Sequence, residues 1–134
     1  EMKKKQWGRI INISSVSVKT PVNGLFLSNS LRMGVLGWAK ALSDEVAPFG
    51  ITVNTVCPGT TKTERIEEIL RAQSKSTGKD KKDLEDAIAK NIPLQRIGKA
   101  TDLSALITFL ASEKANYMTG LAVQVDGGSA RTFY

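Results

Sequence analysis

Histidine is absent from the 134 residues, and cysteine occurs once, as Cys57. The absence of histidine removes the side chain that most often serves as a general base or a metal ligand. We therefore expect no zinc or other metal centre. A single cysteine also excludes an intrachain disulfide, which is typical of proteins from a reducing compartment. Cys57 lies in an apolar run before Pro58, so we expect it to pack as a small hydrophobic residue in a soluble, cytoplasmic protein.

Long hydrophobic runs are also missing, since no apolar stretch reaches the roughly 18 residues that a membrane span requires. The net charge is +6, from 19 basic and 13 acidic side chains, and part of the excess is Lys3, Lys4, Lys5 and Arg9. A basic cluster of this kind can bind nucleic acid or phosphate, but we interpret it as a solvated helix end. We expect neither a membrane nor a nucleic acid as a partner.

The first residues, EMKKKQWG, have the composition of a last helical turn that runs into a strand. No earlier residues supply the rest of that helix. We therefore expect the chain to be a fragment of a longer protein.

Three apolar runs predict β-strands: Gly8–Ser15 (GRIINISS), Ile51–Val56 (ITVNTV) and Leu121–Val125. The β-branched run in the first of them predicts a strand that is buried on both faces and has a neighbour outside this sequence. The order of elements is strand, helix, strand, exposed helices, helix, strand. This order predicts an α/β fold with three parallel strands, equivalent to half of a doubly wound sheet.

A long helix is predicted from Asn29 to Ala47, and Pro48-Phe49-Gly50 ends it. Its apolar side chains recur at spacings of four, three, four and four, which predicts one buried stripe. Gly34 and Gly37 each lower helix propensity by about 1 kcal/mol relative to alanine. We expect close backbone packing against another element to compensate for them. The stripe consists of Leu31, Val35, Trp38, Leu42 and Val46.

The stretch 60–90 is rich in charges of both signs and predicts two exposed helices, Thr63–Gln73 and Lys82–Lys90. A nucleic-acid-binding arm is the alternative, but the charges nearly balance. Thr101 is predicted to be the N-cap of a further helix, with Asp102 in its first turn. Asp126-Gly127-Gly128 predicts a turn after the last strand, because glycine permits positive φ angles.

Four stretches together resemble the carboxyl-terminal half of the short-chain dehydrogenase/reductase family, and of its 3-oxoacyl-carrier-protein reductase type in particular. The resemblance implies a Rossmann-type sheet, NAD or NADP as cofactor, and a small carbonyl or alcohol substrate. It also implies a homo-oligomer, or association with the missing amino-terminal half. The glycine-rich G-x-x-x-G-x-G phosphate loop of the family does not occur in this sequence. The four stretches are GRIINISS (Gly8–Ser15), NTVCPGTTKT (Asn54–Thr63), IPLQRIG (Ile92–Gly98) and FLASEKANYMTGLAVQVDGG (Phe109–Gly128).

The family's active site implies three catalytic positions in this chain. Ser15 matches the family's serine, which follows the strand that GRIINISS resembles. The family's tyrosine comes thirteen residues later and its lysine four residues after that, which places Ser28 and Arg32 at those positions. The pair Tyr-x-x-x-Lys is therefore replaced by Ser28 and Arg32.

This replacement changes the chemistry that the resemblance implies. The pKa of a phenol is near 10 in water, and a nearby ammonium and the oxidised nicotinamide lower it toward neutrality. A serine hydroxyl is shorter and ionises far less readily. The guanidinium of Arg32 keeps the positive charge and can hold ribose hydroxyls, but it cannot relay a proton. Loss of general acid–base help typically lowers a rate by about 10²–10⁴.

Three interpretations remain open from the sequence. The protein is an oxidoreductase that uses other groups, such as a water molecule held by Ser15 and Ser28. Alternatively, it binds a dinucleotide without catalysis, as a scaffold or sensor. In the third interpretation, the helix Asn29–Ala47 belongs only to the core and Ser28 is only its N-cap.

The resemblance implies cofactor contacts after the second strand. The Pro58-Gly59 backbone and Thr61 match the segment that meets the nicotinamide carboxamide, and Thr63 matches a hydroxyl that helps to hold the cofactor. A tight turn, with Thr63 capping the next helix, is the structural alternative. Ser14 is expected to be a structural hydrogen-bonding group. The stretch 60–90 corresponds to the family's substrate lid, whose mobility would serve function.

Overall fold

The computed structural model describes residues 1–132, and its regular elements follow the predicted order. The strands are β1 (Gly8–Ile13), β2 (Ile51–Pro58) and β3 (Ala122–Val125). They form one parallel sheet in the order β1-β2-β3, which confirms the predicted α/β half-sheet. The helices are α1 (Met2–Lys5), α2 (Phe26–Val46), α3 (Glu64–Thr77), α4 (Lys81–Lys90) and α5 (Ala100–Ala111). Short 3-10 helices span Val16–Val18, Ala47–Phe49 and Glu113–Ala115.

Strand β2 is the centre of the molecule and is buried from Ile51 through Cys57. Successive side chains of a strand point to opposite faces of the sheet. On one face Ile51 and Val53 pack against Ala39 and Val46 of α2. On the other face Val56 packs with two fully buried residues, Leu110 of α5 and Ala115 of the third 3-10 helix. Cys57 has no exposed surface, as predicted. The two helical layers therefore meet through this one strand.

The predicted burial of β1 on both faces is wrong for the described residues. Gly8 is buried, the next four residues are half-buried, and Ile13 is 55% exposed. The physical reason is the position of β1 at the edge of the sheet, where β2 is its only neighbouring strand among residues 1–132. Its outer row of backbone groups is open to a further strand.

Helix α2 begins three residues earlier than predicted, at Phe26, and Leu25 is its N-cap residue. The first hydrogen bond of helical spacing joins the Asn29 N–H to the Leu25 carbonyl at 2.8 Å. Ser28 therefore lies inside the first turn, and its interpretation as the N-cap is wrong. The backbone rather than a side-chain cap starts this helix, since Leu25 has no side chain that could accept a hydrogen bond.

The predicted buried stripe of α2 is only partly buried. Leu31, Val35 and Trp38 are 63%, 44% and 54% exposed. Val46 is buried, and Leu42 packs partly against the same cluster. The sheet covers a neighbouring side of α2, and nothing among residues 1–132 covers the rest. Likewise, apart from the chain neighbours and nearby backbone of α2 itself, no atom of the described residues lies within 4 Å of a Cβ built on Gly34 or Gly37, so the expected close packing is absent here.

The charged stretch forms two helices, as predicted, with α3 from Glu64 and α4 from Lys81. The Asp80 carboxylate accepts the Lys82 N–H at 2.8 Å and caps α4. Thr101 was expected to cap α5, but this expectation is wrong because α5 begins at Ala100 and Lys99 is its N-cap residue. The Asp102 carboxylate reaches back to the Lys99 N–H at 2.7 Å, which fixes the earlier start.

None of the helices in the described part of the chain is both long enough and apolar enough to cross a membrane.

Candidate functional site

All predicted site residues follow the carboxyl ends of the strands or the start of α2. Because the three strands are parallel, Ser15 after β1, Pro58 at the end of β2 and Asp126 after β3 lie at one edge of the sheet. Helix α2 begins at the same edge and packs against the 3-10 helix that follows Ser15. In open α/β sheets ligands bind at this edge.

Ser15 is half-buried and starts the first 3-10 helix, where its Oγ accepts the Ser17 N–H at 3.1 Å. Its own backbone N–H donates to the Cys57 thiol, which places Ser15 beside the end of β2. Burial raises the pKa of that thiol above its usual 9.0, against the opposing effects of Lys19 and the Ser15 N–H. Cys57 is therefore a protonated thiol at neutral pH and a poor nucleophile.

Ser14, expected to be a structural hydrogen-bonding group, fills this role through its backbone alone. Its N–H donates to the Val56 carbonyl at 2.8 Å. Its buried Oγ makes no hydrogen bond to the described residues. A buried unpaired hydroxyl is unfavourable, so this edge of the sheet retains a hydrogen-bonding group that a ligand or water molecule can satisfy.

Ser28 and Arg32 form a hydrogen-bonded pair on the first turns of α2. The Arg32 Nε donates to the Ser28 Oγ at 3.2 Å, and both residues are half-buried. The other two guanidinium nitrogens of Arg32 make no hydrogen bond or ion pair with residues 1–132. The spacing of four residues predicted this proximity.

The segment after β2 is held tightly against β3. The Gly59 N–H donates to the Val125 carbonyl at 3.0 Å. A Cβ on Gly59 would lie 2.6 Å from the Cβ of Asp126 and 2.8 Å from its Cα. The Thr61 hydroxyl is buried and donates to the Gly59 carbonyl at 3.1 Å. Thr63 is the exposed N-cap residue of α3, but its side chain makes no capping bond.

Gly59→Ala is expected to lower the free energy of unfolding by about 1–3 kcal/mol, the usual effect of an overpacked site. The atoms in the way belong to the Asp126 backbone and Cβ, which cannot turn aside as a long side chain would. Urea unfolding measures the change. Gly34→Ala is the matched control, because its Cβ meets open space and should stabilise α2 by up to about 1 kcal/mol. Equal stability of Gly59→Ala and the unsubstituted protein would contradict the close contact.

A cavity of about 420 Å³ lies beside this segment, between the start of α5 and the ends of β2 and β3. Of the predicted site residues, only Thr61 lines it. Ser15, Ser28 and Arg32 lie outside it, and no hydrogen bond among residues 1–132 joins the Ser28–Arg32 pair to the Pro58–Thr63 segment. The polar residues that line the cavity include Thr61, Arg96, Lys99, Asp102, Gln124 and Asp126.

The segment 62–97 leaves the sheet after β2, and its two ends are joined at what we call the neck (residues 60–62 and Gly98). The Lys62 N–H donates to the Gly98 carbonyl at 2.8 Å, and the Gly98 N–H donates to the Thr60 carbonyl at 3.0 Å. Arg96 then bonds Asp102 through both terminal nitrogens, at 2.6 and 3.2 Å. The bond from Arg96 and that from the Lys99 N–H lower the pKa of Asp102 from 3.8 to about 2.

Asp102→Asn is expected to remove a pH-dependent part of the stability. Because the folded-state pKa is lowered, the ionised carboxylate stabilises the fold above pH 3.8, and this contribution is lost as the pH falls through about 2. The unsubstituted protein should thus have the higher urea midpoint at neutral pH, with the difference vanishing near pH 2. Asp86→Asn, an exposed carboxylate on α4, is the control. A difference that persists near pH 2 would contradict this assignment.

The sequence did not reveal the Arg96–Asp102 pair. Arg96 precedes α5, so its separation of six residues from Asp102 follows neither helical nor strand spacing. The sequence contained only a weaker signal for this pair, namely a basic residue shortly before a predicted helix whose first turn contains an acidic residue.

A dinucleotide cofactor fits the donors and acceptors at this edge. The free guanidinium nitrogens of Arg32 suit ribose hydroxyls or phosphate oxygens, and the unpaired Ser14 Oγ offers a further hydrogen bond. Arg32, the Pro58–Gly59 backbone, Thr61 and Thr63 are the residues of this chain that would hold it. The chemistry that a nicotinamide dinucleotide would supply there is hydride transfer.

A family model described as enoyl-(acyl carrier protein) reductase matches residues 1–130. The NADPH-dependent reductase BacG of Bacillus subtilis is 37% identical over 98% of this chain and 51% of its own length. The 3-oxoacyl-[acyl-carrier-protein] reductase FabG of Haemophilus influenzae is 40% identical over 95% of this chain and 48% of its own length.

Among solved structures, L-sorbose reductase from Gluconobacter frateurii, in complex with NADPH and L-sorbose, superposes with a TM-score of 0.94. It is 28% identical, over 98% of this chain and 51% of that one. The chain thus spans about half the length of the relatives it matches. The match over residues 1–130, together with the three-stranded parallel sheet, shows that the chain belongs to the short-chain dehydrogenase/reductase family, in its 3-oxoacyl-carrier-protein reductase-like branch.

Proposed function

We propose that this chain is the substrate-side half of a cytoplasmic, NADPH-dependent reductase that transfers hydride to a small carbonyl substrate. The observation that supports the proposal is the bonded Ser28–Arg32 pair at the carboxyl edge of the parallel sheet, since the resemblance matches these two residues to the family's catalytic pair. The choice of NADPH over NADH follows the similarity to BacG, which is an NADPH-dependent reductase.

The proposed roles of the residues follow from their chemistry. Ser28 donates a hydrogen bond to the substrate oxygen, and Ser15 orients the substrate from the end of β1. Arg32 holds ribose hydroxyls with its free nitrogens. The Pro58–Gly59 backbone and Thr61 meet the nicotinamide carboxamide, and the exposed Thr63 hydroxyl adds a contact at the start of α3.

The test uses the full protein that contains this chain. NADPH oxidation is followed at increasing concentrations of acetoacetyl-CoA, and thermal unfolding is recorded with and without NADPH. We expect saturable oxidation and a higher melting temperature with NADPH. The proposal would be contradicted if NADPH did not raise the melting temperature and the protein did not oxidise NADPH in the presence of substrate.

A catalytically impaired, dinucleotide-binding scaffold or sensor is the second candidate. It is favoured by the replacement of the family's tyrosine and lysine by Ser28 and Arg32, since neither residue can relay a proton at neutral pH. In that case the same experiment would give stabilisation by NADPH without turnover.

We further propose that the segment 60–90 is a substrate lid. Helices α3 and α4 contact each other and are joined by ion pairs of Lys81 with Glu67 and of Lys62 with Glu85. Leu70 is the one buried residue in the described parts of α3 and α4. A helix pair with so little buried apolar surface can move as a unit about the neck.

The exposed apolar face of α2 (Leu31, Val35 and Trp38) supports the proposal of a homo-oligomer. Trp38→Glu is expected to convert the protein to a smaller species, because a carboxylate cannot be buried in an apolar contact without a large penalty. Sedimentation velocity measures the size. Met33→Glu, which lies on another side of α2 and is also exposed, is the control and should leave the size unchanged. Identical sedimentation of both variants and the unsubstituted protein would contradict this interface.

A further inference from the structure

The direction of the Ser28–Arg32 hydrogen bond is fixed by chemistry. A guanidinium group can donate hydrogen bonds but cannot accept them, so the Ser28 oxygen must be the acceptor. The Ser28 hydroxyl proton is then left over, and it makes no hydrogen bond to the described residues. Ser30, two residues on, shows the ordinary alternative, since its hydroxyl donates to the Phe26 carbonyl at 2.9 Å.

We propose that Arg32 is a positioning residue that holds Ser28 as a hydrogen-bond donor, and that the pair stabilises a substrate oxyanion without acid–base catalysis. This inference rests on the proposed function and concerns the same site. A hydroxyl that accepts a bond from a cation becomes a better donor, because the hydrogen bonds polarise one another. The pair thus acts as a preorganised oxyanion-binding group.

The reduction balances without a titrating side chain. Hydride adds to the carbonyl carbon, and the electron pair of the C=O π bond moves to the oxygen. The Ser28 hydroxyl donates to that oxygen, which then takes a proton from water and leaves hydroxide. The nicotinamide cofactor of the proposed function is the reductant.

The groups that could add a pH dependence near neutrality are few. Helix α2 packs against the first 3-10 helix, the second 3-10 helix and β2. Lys19 follows the first 3-10 helix and lines the same cavity as Leu36 of α2, and the Cys57 thiol of β2 is kept protonated by burial. Because burial holds the pKa of this thiol above its usual 9.0, the thiol does not change charge between pH 6 and pH 8. The proposal therefore predicts a turnover rate that is nearly constant over this range.

The first experiment measures hydrogen exchange of the Arg32 Nε–H by NMR in the protein and in two variants. Ser28→Ala should speed this exchange by about tenfold, the effect of losing one hydrogen bond of ordinary strength. Ser30→Ala is the matched control and should leave it unchanged, because the Ser30 hydroxyl is bonded to the backbone. Exchange that Ser28→Ala does not alter would overturn the inference, whatever the activity of the protein.

The second experiment measures turnover with NADPH and acetoacetyl-CoA from pH 6 to pH 8. Ser28→Ala should lower kcat by about 10²–10³ with little change in the KM for substrate, as removal of an oxyanion donor does. At saturating NADPH, where the ribose contact of Arg32 no longer limits the rate, Arg32→Met should lower kcat as well. The double variant should then be no slower than Ser28→Ala, because Arg32 acts on kcat through Ser28. The inference would be overturned by a change of kcat with pH near neutrality that disappears in Ser28→Ala. It would also be overturned if the effects of the two substitutions on kcat were additive. Absence of turnover and of NADPH binding, with the Arg32–Ser28 bond intact, would instead contradict the proposed function.

Discussion

Replacing Ser28 by tyrosine together with Arg32 by lysine is expected to raise the rate of carbonyl reduction by about 10²–10⁴, the usual contribution of a positioned general acid. The phenol would add a group whose pKa a neighbouring ammonium can bring toward neutrality, which the serine hydroxyl does not provide. The two residues are one turn apart on α2 and already within hydrogen-bonding distance, so the new pair needs no change in the backbone. NADPH oxidation under substrate saturation measures the gain.

Two controls separate a restored pair from a merely larger side chain. Ser28→Tyr alone should give a smaller gain, because a guanidinium cannot replace an ammonium in a proton relay. Ser30→Tyr places the same ring two residues away, on an exposed position of the same helix, and should leave the rate unchanged. A double variant no faster than the unsubstituted protein would show that Ser28 does not occupy the catalytic position.

Leu110→Ala is expected to lower the free energy of unfolding by about 2–5 kcal/mol, the range for removing a large side chain from a closed core. Leu110 has no exposed surface and packs with Val56 and Ala115 against the face of β2 that α2 does not cover. The cavity left behind would lie between β2 and α5, and the surrounding side chains would fill it only in part. Equilibrium unfolding in urea measures the loss.

The neighbouring residue supplies the control for this prediction. Phe109 is 39% exposed, so Phe109→Ala removes a larger side chain but should destabilise the protein less. A loss for Phe109→Ala equal to or above that for Leu110→Ala would mean that the α5 face is buried differently in solution.

Local patterns were enough to predict the strands. The run Ile51–Val56 is β-branched and apolar, and β2 is indeed the buried central strand. Both ends of α4 and the start of α3 were also predicted within one residue, but α3 continues to Thr77, four residues beyond the predicted Gln73.

Features that depend on contacts distant in sequence were not predictable. The periodicity of α2 correctly indicated an apolar stripe, but periodicity does not say what covers it, and Leu31 and Trp38 are exposed here. The start of α5 depends on the Asp102 carboxylate reaching Lys99, which overrode the preference of Thr101 for the cap. For the candidate site, spacing predicted that Ser28 and Arg32 would meet. Which of the two groups donates the hydrogen bond could be assigned only from the bonded atoms in the structure. The catalytic roles of Ser15, Ser28 and Arg32 stay predictions.

The closed neck makes the α3–α4 helix pair a separable module. Since Lys62 and Gly98 are hydrogen-bonded to each other, and Leu94 is bonded to the Gly127 carbonyl, the length and sequence of the helix pair at residues 64–90 can vary without changing the spacing of β2 and α5. Under the proposed function, exchange of this module would change the substrate preference and leave the proposed hydride-transfer site unchanged. Chimaeras in which residues 64–90 are replaced by the corresponding segment of a relative should accordingly remain folded.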